Sequence, residues 1–384
     1  MEFELSSAQH DFRARARVFA EAHVRPLAAR IDAENQFPRE LVRQAGAEGL
    51  LAVTIPAEWG GSGQDFVSYA LAIEEIGKVS ATLAVILVVT NSLLVEFIHR
   101  HGTTEQKQRW LRPLARGEAV GAFALSEEHA GSDAANQRTV ATIAGGGYSI
   151  DGGKVWVANA EAADVVIVIA ATSLRQGERG MTAFLVPLDN PGISPSATLD
   201  SLGVRGLGCR HLTLRRVTVR EDAVVGERDE GFKAALWALD CARIAIAAQA
   251  LGVGDAALSL ALTHARTRQT FGRPIGRYQG VQWMLADMAT ELDAARMLTL
   301  KAAAACHVQP RVSLEAAMAK LQASEAAHRA ADKALQILAS AGYQRGSEVE
   351  RYFRDARAAE IYSGTSEVQR MIIAERILGV RAFS

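Results

Sequence analysis

The sequence predicts an α+β protein, mainly α, with a helical N-terminal part, a middle β-domain and a C-terminal four-helix bundle. Three observations predict it. Residues 1–120 carry apolar side chains at helical spacing. From 121 to 226 this gives way to short alternating or β-branched runs separated by Gly, Asn, Asp and Pro. From 227 to 384 the chain returns to long, alanine-rich amphipathic stretches. A chain of 384 residues has room for two or three domains and a large core.

The elements follow in order. Ser6 and Ser7 are placed to cap a helix whose stripe runs through Gln9, Phe12, Ala16 and Phe19. Pro56 and the glycines of Ile55 to Gly63 mark a loop. Phe66 to Lys78 and Leu83 to His101 read as helices. Strands are expected at Val140–Ile143, Tyr148–Ile150, Val165–Ala170, Thr182–Val186 and Leu212–Val219, in a small barrel or a sandwich. Helices are expected at Trp237–Thr267, Gln282–His307, Leu314–Ala341 and Thr365–Leu378.

Composition excludes several functions. The chain is 49% hydrophobic and 22% charged, with a net charge of −1, so it lacks the basic footprint of a nucleic-acid or membrane-surface binder. Its cysteines, Cys209, Cys241 and Cys306, are far apart, odd in number and without metal-ligand spacing; a reducing compartment, no disulfide framework and no metal site are expected. Acids and arginines near the N-terminus predict no export signal, and the most apolar run, Ala81 to Val89, is short of the roughly 20 residues of a membrane span. A cytoplasmic protein is expected. There is no Gly-x-Gly-x-x-Gly after a strand, no phosphate loop ending in Lys-Ser/Thr and no His-Glu-x-x-His, which argues against the common nicotinamide and nucleoside-triphosphate enzymes.

The segment most suited to chemistry lies near the C-terminus. A charged helical run from Arg354 breaks at Ser363-Gly364-Thr365-Ser366 and resumes as a helix. Hydroxyls there can cap orphan N–H groups, and Gly permits a sharp turn. The same chemistry suits a plain helix–turn–helix or an oxyanion site in a crevice. Arg354-Asp355-Ala356-Arg357, then Ile361-Tyr362-Ser363-Gly364-Thr365-Ser366-Glu367 and Gln369-Arg370, resemble a signature of the acyl-CoA dehydrogenase family. In that signature the place of Ser363 holds the glutamate that is the usual catalytic base.

Further segments carry the same resemblance. Leu125-Ser126-Glu127-Glu128-His129-Ala130-Gly131-Ser132-Asp133 is similar to the family's flavin loop, with Glu128 and His129 departing from it. Read from residue types alone this is a polar turn. The resemblance implies that Leu125 and Ser126 meet the flavin pyrimidine and that Ser132 lies by the flavin phosphates and the thioester. Trp156-Val157-Ala158-Asn159 resembles Trp-Ile-Thr-Asn, so Trp156 is expected over one flavin face and the Ala158 backbone N–H at the reactive nitrogen. Arg268, Phe271 and Gln279 match a segment that binds pyrophosphate and adenosine, a task suited to the paired donors of a guanidinium. Gln336 and Ser340 stand in the segment that a neighbouring subunit lends to the same FAD, and Thr365 and Glu367 complete the adenosine side.

The resemblance implies an acyl-CoA dehydrogenase-like fold with a β-barrel middle domain, and divisions at 1–120, 121–226 and 227–384. It implies FAD, a homotetramer or dimer, an acyl-CoA or acyl-carrier-protein substrate, and an electron-transfer flavoprotein as acceptor. Arg243, Asp240, Ser132, Tyr362 and Gly364 are expected around the substrate, and Ile86, Val89 and Thr90 are either acyl-pocket wall or core. The backbone N–H of Ser363 would polarise the thioester carbonyl. The base is missing, however, and a positioned base is worth roughly 10²- to 10⁴-fold. The family's alternative base position is Ala242, within Leu239-Asp240-Cys241-Ala242-Arg243, so both are empty. Three readings follow. The base has moved, to Glu128, to Asp240 or to a water held by Ser363; or the substrate supplies its own acidity or its own carboxylate; or the flavin does other chemistry, as an oxidase or a monooxygenase, or the chain is a non-catalytic subunit.

Overall fold

The computed structural model describes residues 4–173, 179–306, 308–309 and 311–380. Helix α1 (Ser7–Phe19) starts at a capping box in which Ser6 Oγ accepts from the Gln9 N–H and the Gln9 carboxamide accepts from the Ser6 N–H. It buries Phe12, Ala16 and Phe19, the predicted stripe. Then come α2 (Arg25–Glu34), α3 (Arg39–Ala47) and α4 (Phe66–Gly77), the last capped by Asp65. The expected helix ending at His101 is present, as α5 (Ala81–Val88), a π-helical stretch Val89–Val95 and α6 (Glu96–His101). Helix α7 (Thr104–Ala115) follows.

One expectation needs correcting. The apolar segment does not stop at Val89, because Thr90 and Asn91 bond back onto the helix, to the carbonyls of Ile86 and Leu87, and let it continue. The result is a 21-residue helical stretch, Ala81–His101, with mean hydropathy 2.1, long and apolar enough to cross a membrane. Its apolar 18-residue window is buried inside the protein, so that apolar surface is used in packing.

Seven strands form one sheet: β1 (Gly121–Ala124), β2 (Val140–Ala144), β3 (Gly147–Val157), β4 (Val165–Ala171), β5 (Met181–Pro187), β6 (Ile193–Pro195) and β7 (Arg210–Arg220). The order is β1-β4-β2-β3-β7-β6, with β5 antiparallel on β4 and β1 parallel to β4. Alternation gives the sheet two buried faces. Val166, Val168, Ile150, Phe184 and Leu212 form a core within the sheet, while Phe123, Val165, Ile167 and Ile169 join the helices. Strand β3 runs well past the expected Ile150, staying paired to β7 through one register shift before Gly152-Gly153 and a second between Lys154 and Val157.

The remaining chain is helical: α8 (Gly231–Thr267), α9 (Gln279–Ala305), α10 (Ser313–Leu338), the short α11 (Ser340–Tyr343), α12 (Glu348–Ala359) and α13 (Ser366–Leu378). A two-stranded hairpin, β8 (Gln269–Thr270) and β9 (Arg273–Pro274), joins α8 to α9. The helix expected to reach Ala341 ends at Leu338, since Ala339 takes φ 53° and ψ −133°, outside the helical region. Helices α8, α9 and α10 pack closely through small residues. A Cβ on Gly254 would meet Leu292 at 2.5 Å and the Ala327 Cα at 3.1 Å.

Candidate active site

The turn between α12 and α13 is built by two residues that leave the right-handed region, Ser363 at φ 56° and Gly364 at φ 94°. Thr365 then caps α13 by accepting from the Val368 N–H at 3.4 Å. Three buried side chains hold the turn from behind. Arg243 Nε donates to the Ser363 carbonyl at 3.1 Å, and Lys320 Nζ donates to the Gly364 carbonyl at 2.7 Å. Gln369 Nε2 donates to both, at 3.2 and 2.8 Å. Among the described residues the N–H groups of Ser363 and Gly364 have no hydrogen-bond acceptor. Successive free N–H groups on a turn make an anion-binding concavity.

Charge at this turn is predominantly positive. The Arg243 guanidinium pairs with Asp240 Oδ1 at 2.6 Å, and Asp240 Oδ2 accepts from Ser313 Oγ at 2.5 Å. With both oxygens engaged, Asp240 is poorly placed to take up a proton. Lys320 is fully buried, and burial, followed by the Arg243 charge, lowers its pKa to about 7. Tyr362 Oη donates to Gln249 Oε1 at 2.8 Å, and burial raises the pKa of that phenol.

A second group lies on the β-domain. Trp156 sits at φ 53° on a bulge of β3, strained for so large a residue, and stays 58% exposed, its N–H donating to His211 Nδ1 at 3.3 Å. Lys154, two residues earlier, is completely buried and donates to the Leu125 carbonyl at 3.0 Å, to Glu127 Oε1 at 2.8 Å and to Gln137 Oε1 at 2.9 Å. Glu127 also accepts the N–H groups of Arg138 and Thr139. These bonds fix the segment carrying Leu125 and Ser126. Ser132 and Glu128 are exposed, and Ala158 and Tyr362 both pack on the main core. The N–H groups of Ser126 and Ala158 have no acceptor among the described residues. A half-exposed aromatic face beside free N–H donors fits a planar, hydrogen-bonding ring such as a flavin.

The rest of the predicted site residues are elsewhere. Arg268 ends α8, Phe271 is 97% exposed at the tip of the hairpin, and Gln279 opens α9. Gln336 and Ser340 are exposed at the end of α10 and the start of α11. Helices α9 and α10 run antiparallel, as the Lys333–Asp287 and Arg329–Glu291 pairs require, so these five residues share one end of the bundle. Arg243 and Arg268 are separated by roughly 38 Å of α-helical rise. Thr365 and Glu367 stay with the turn. Sequence reading missed Lys320, Lys154, Gln249 and Glu127, although Lys320 falls on the stripe of Ala316, Ala319, Ala323 and Ala327, where a lysine is out of place.

This fold and this site define a class: a flavoprotein oxidoreductase with helical N- and C-terminal parts around a β-domain. Comparison with known proteins is specific. The acyl-CoA dehydrogenase N-terminal domain matches residues 6–118, the middle domain 122–217 and the C-terminal domain 229–378. The mitochondrial short-chain specific acyl-CoA dehydrogenase of Bos taurus is 42% identical over 375 residues, 98% of this chain and 91% of that protein. The structure of butyryl-CoA dehydrogenase from Megasphaera elsdenii superposes with a TM-score of 0.96 at 37% identity, covering 98% of this chain and 100% of that one. A glutaryl-CoA dehydrogenase from Mycobacterium smegmatis in complex with FADH2 gives 0.93 at 29% identity, covering 99% and 97%. The chain belongs to the acyl-CoA dehydrogenase family, FAD-holding oxidoreductases that act on CH–CH groups.

Proposed function

We propose that this chain oxidises a short acyl thioester between its α and β carbons, with the α-proton taken by a group other than residue 363. The observation that carries the reading is the turn itself: free N–H groups at Ser363 and Gly364, backed by Arg243 and Lys320. Donors aimed at a thioester oxygen stabilise the negative charge that forms there as the α-proton leaves. The short acyl length is supported by the Tyr362–Gln249 bond, two helical turns along α8 from Arg243, and by the relatives named short-chain specific and butyryl-CoA dehydrogenase.

FAD, when bound, supplies the acceptor for the β-hydrogen. Trp156 would cover one face of its ring, Leu125, Ser126 and Ala158 would meet the ring edge, and Ser132 would lie toward the phosphates and the thioester. Arg268, Phe271, Gln279, Gln336, Ser340, Thr365 and Glu367 would serve the pyrophosphate and adenosine. The separation of Arg268, Phe271, Gln279, Gln336 and Ser340 from the turn supports a homo-oligomer in which each FAD is shared between copies, and domains divided at 1–120, 121–226 and 227–384 fit that plan. A relative's structure titled for an electron-transferring flavoprotein supports such a protein as electron acceptor.

Saturated acyl thioesters of increasing length, added anaerobically, are expected to bleach the flavin, the four-carbon member fastest. No bleaching with any of them rejects dehydrogenation. Ser363→Glu is expected to raise turnover of ordinary acyl-CoAs by roughly 10²- to 10⁴-fold. An unchanged rate in a variant that holds FAD would show that residue 363 is not simply a vacated base position. The serine also favours a second reading, flavin-dependent oxygen chemistry, which oxygen uptake with a hydroxylated product would support.

A further inference from the structure

Lys320 is the unusual residue of the turn. It is wholly buried, and among the described residues no carboxylate lies within ion-pair distance of it. An unpaired buried ammonium is destabilising, and methionine would fill the same space without that cost. Among the described residues, the one hydrogen bond of the Lys320 side chain is to the Gly364 carbonyl. Peptide planes are trans throughout the described chain, so an amide N–H points opposite to the carbonyl of the preceding residue. Fixing the Ser363 and Gly364 carbonyls toward the bundle interior therefore aims the N–H groups of Gly364 and Thr365 outward.

We propose that Lys320 is a positioning residue for thioester oxidation, its ammonium holding the Gly364 carbonyl inward so that the turn between α12 and α13 keeps its free N–H groups aimed at the thioester oxygen. This rests on the functional reading above, since it presumes a thioester at the turn. The charged form is the stronger clamp, because a charge-assisted bond is about twice as strong as a neutral one. Burial lowers the Lys320 pKa to about 7, so the clamp weakens as pH rises from 6.5 to 9. The charged groups facing Lys320 are themselves engaged. Arg243 and Asp240 on α8 are ion-paired, as are Glu325 on its own helix and Arg370 on α13. Glu367, at the start of α13, is held below the usual carboxylate range by backbone N–H bonds and by Thr365. His328, two turns along α10, has its pKa lowered by burial.

The test is isotope-edited infrared spectroscopy of crotonyl-CoA labelled at the thioester carbonyl and bound to the FAD-loaded enzyme. The native carbonyl band is expected at lower frequency than in water, and Lys320→Met is expected to lose a large part of that shift. The variant is also expected to lose on the order of 10- to 100-fold in kcat/KM, part of the 10²–10³ that a whole oxyanion donor supplies. An unshifted band in the native enzyme, or no binding, overturns the functional reading and the clamp with it. A native shift that survives intact in an FAD-loaded Lys320→Met variant overturns the clamp alone. If that variant holds no FAD, the native band decides: movement back toward the water value between pH 6.5 and 9 supports the clamp, and a pH-independent band overturns it.

Discussion

Asp355, on the inner side of α12, accepts the Val204 N–H at 2.6 Å and so fastens the loop after β6 to the helix preceding the turn. Burial raises its pKa to about 6, against the pull of the Val204 bond and the Arg351 charge. An acid with a raised folded pKa binds its proton more tightly in the folded state, so stability falls as pH rises from 3.8 through 6 and the full cost is present above that. That cost is on the order of 3 kcal/mol. Asp355→Asn keeps an acceptor for Val204 and removes the charge. It is expected to unfold at the same or a higher temperature than the native protein at pH 8, with the gap narrowing toward pH 5. A variant less stable at pH 8 than at pH 5, relative to native, would refute this. Asp355 was legible in the sequence as part of a signature, but its burial was not. Lys154 was hidden for a different reason. It lies on the same buried face of β3 as Tyr148 and Ile150, but the alternating run in the sequence breaks at Gly152-Gly153, so the strand was expected to stop at Ile150, short of it.

Among elements, the contact of α1 with α4 turns on Glu75, which accepts from Arg13 at 2.7 Å and from Arg17 at 3.0 and 3.1 Å. Burial pushes the Glu75 pKa up, but the Arg17 bonds, the Lys78 charge and the Arg13 bond outweigh it and bring it to about 2. A lowered folded pKa stabilises above the unfolded value, so this contribution is present above pH 4.5 and lost as pH falls through 2. Glu75→Gln is expected to cost about 1–3 kcal/mol at neutral pH, and chemical denaturation should find it less dependent on pH than native between 4.5 and 2. Parallel pH curves for the two proteins would sink the assignment. Helices of this length were legible because apolar periodicity persists over many turns. Their ends were less so. The stop of α10 at Ala339 depends on a backbone angle that no residue type there demands, and α5 runs on through Thr90 and Asn91 only because tertiary partners such as Leu50 and Tyr69 satisfy the polar side chains around them.

At the scale of the molecule, the residues proposed for one cofactor lie apart, some on the β-domain and at the turn, the others at the far end of the helical bundle. The motifs named the members of both groups; only the unbroken α8 shows that roughly 38 Å of helix separates Arg243 at the turn from Arg268 at the far end. The far group lies beside large exposed apolar side chains, Phe271 at 97%, Tyr343 at 81% and Trp283 at 65% exposure. Aromatic residues gathered on an exposed surface mark an interface. If a second copy covers this end and completes the cofactor site, assembly and FAD retention are one property. Trp283→Glu places a charge at that contact, and loss of such an anchor typically costs 2 kcal/mol or more, roughly a 30-fold weaker association. The native protein is expected to run well above 41.1 kDa with FAD bound. Trp283→Glu should shift toward the monomer as it is diluted and lose FAD in step, read by light scattering with flavin absorbance. A native monomer that keeps its full flavin would end the shared-site reading, because all contacts to FAD would then have to come from one chain, and Arg268, Phe271 and Gln279 could not be among them.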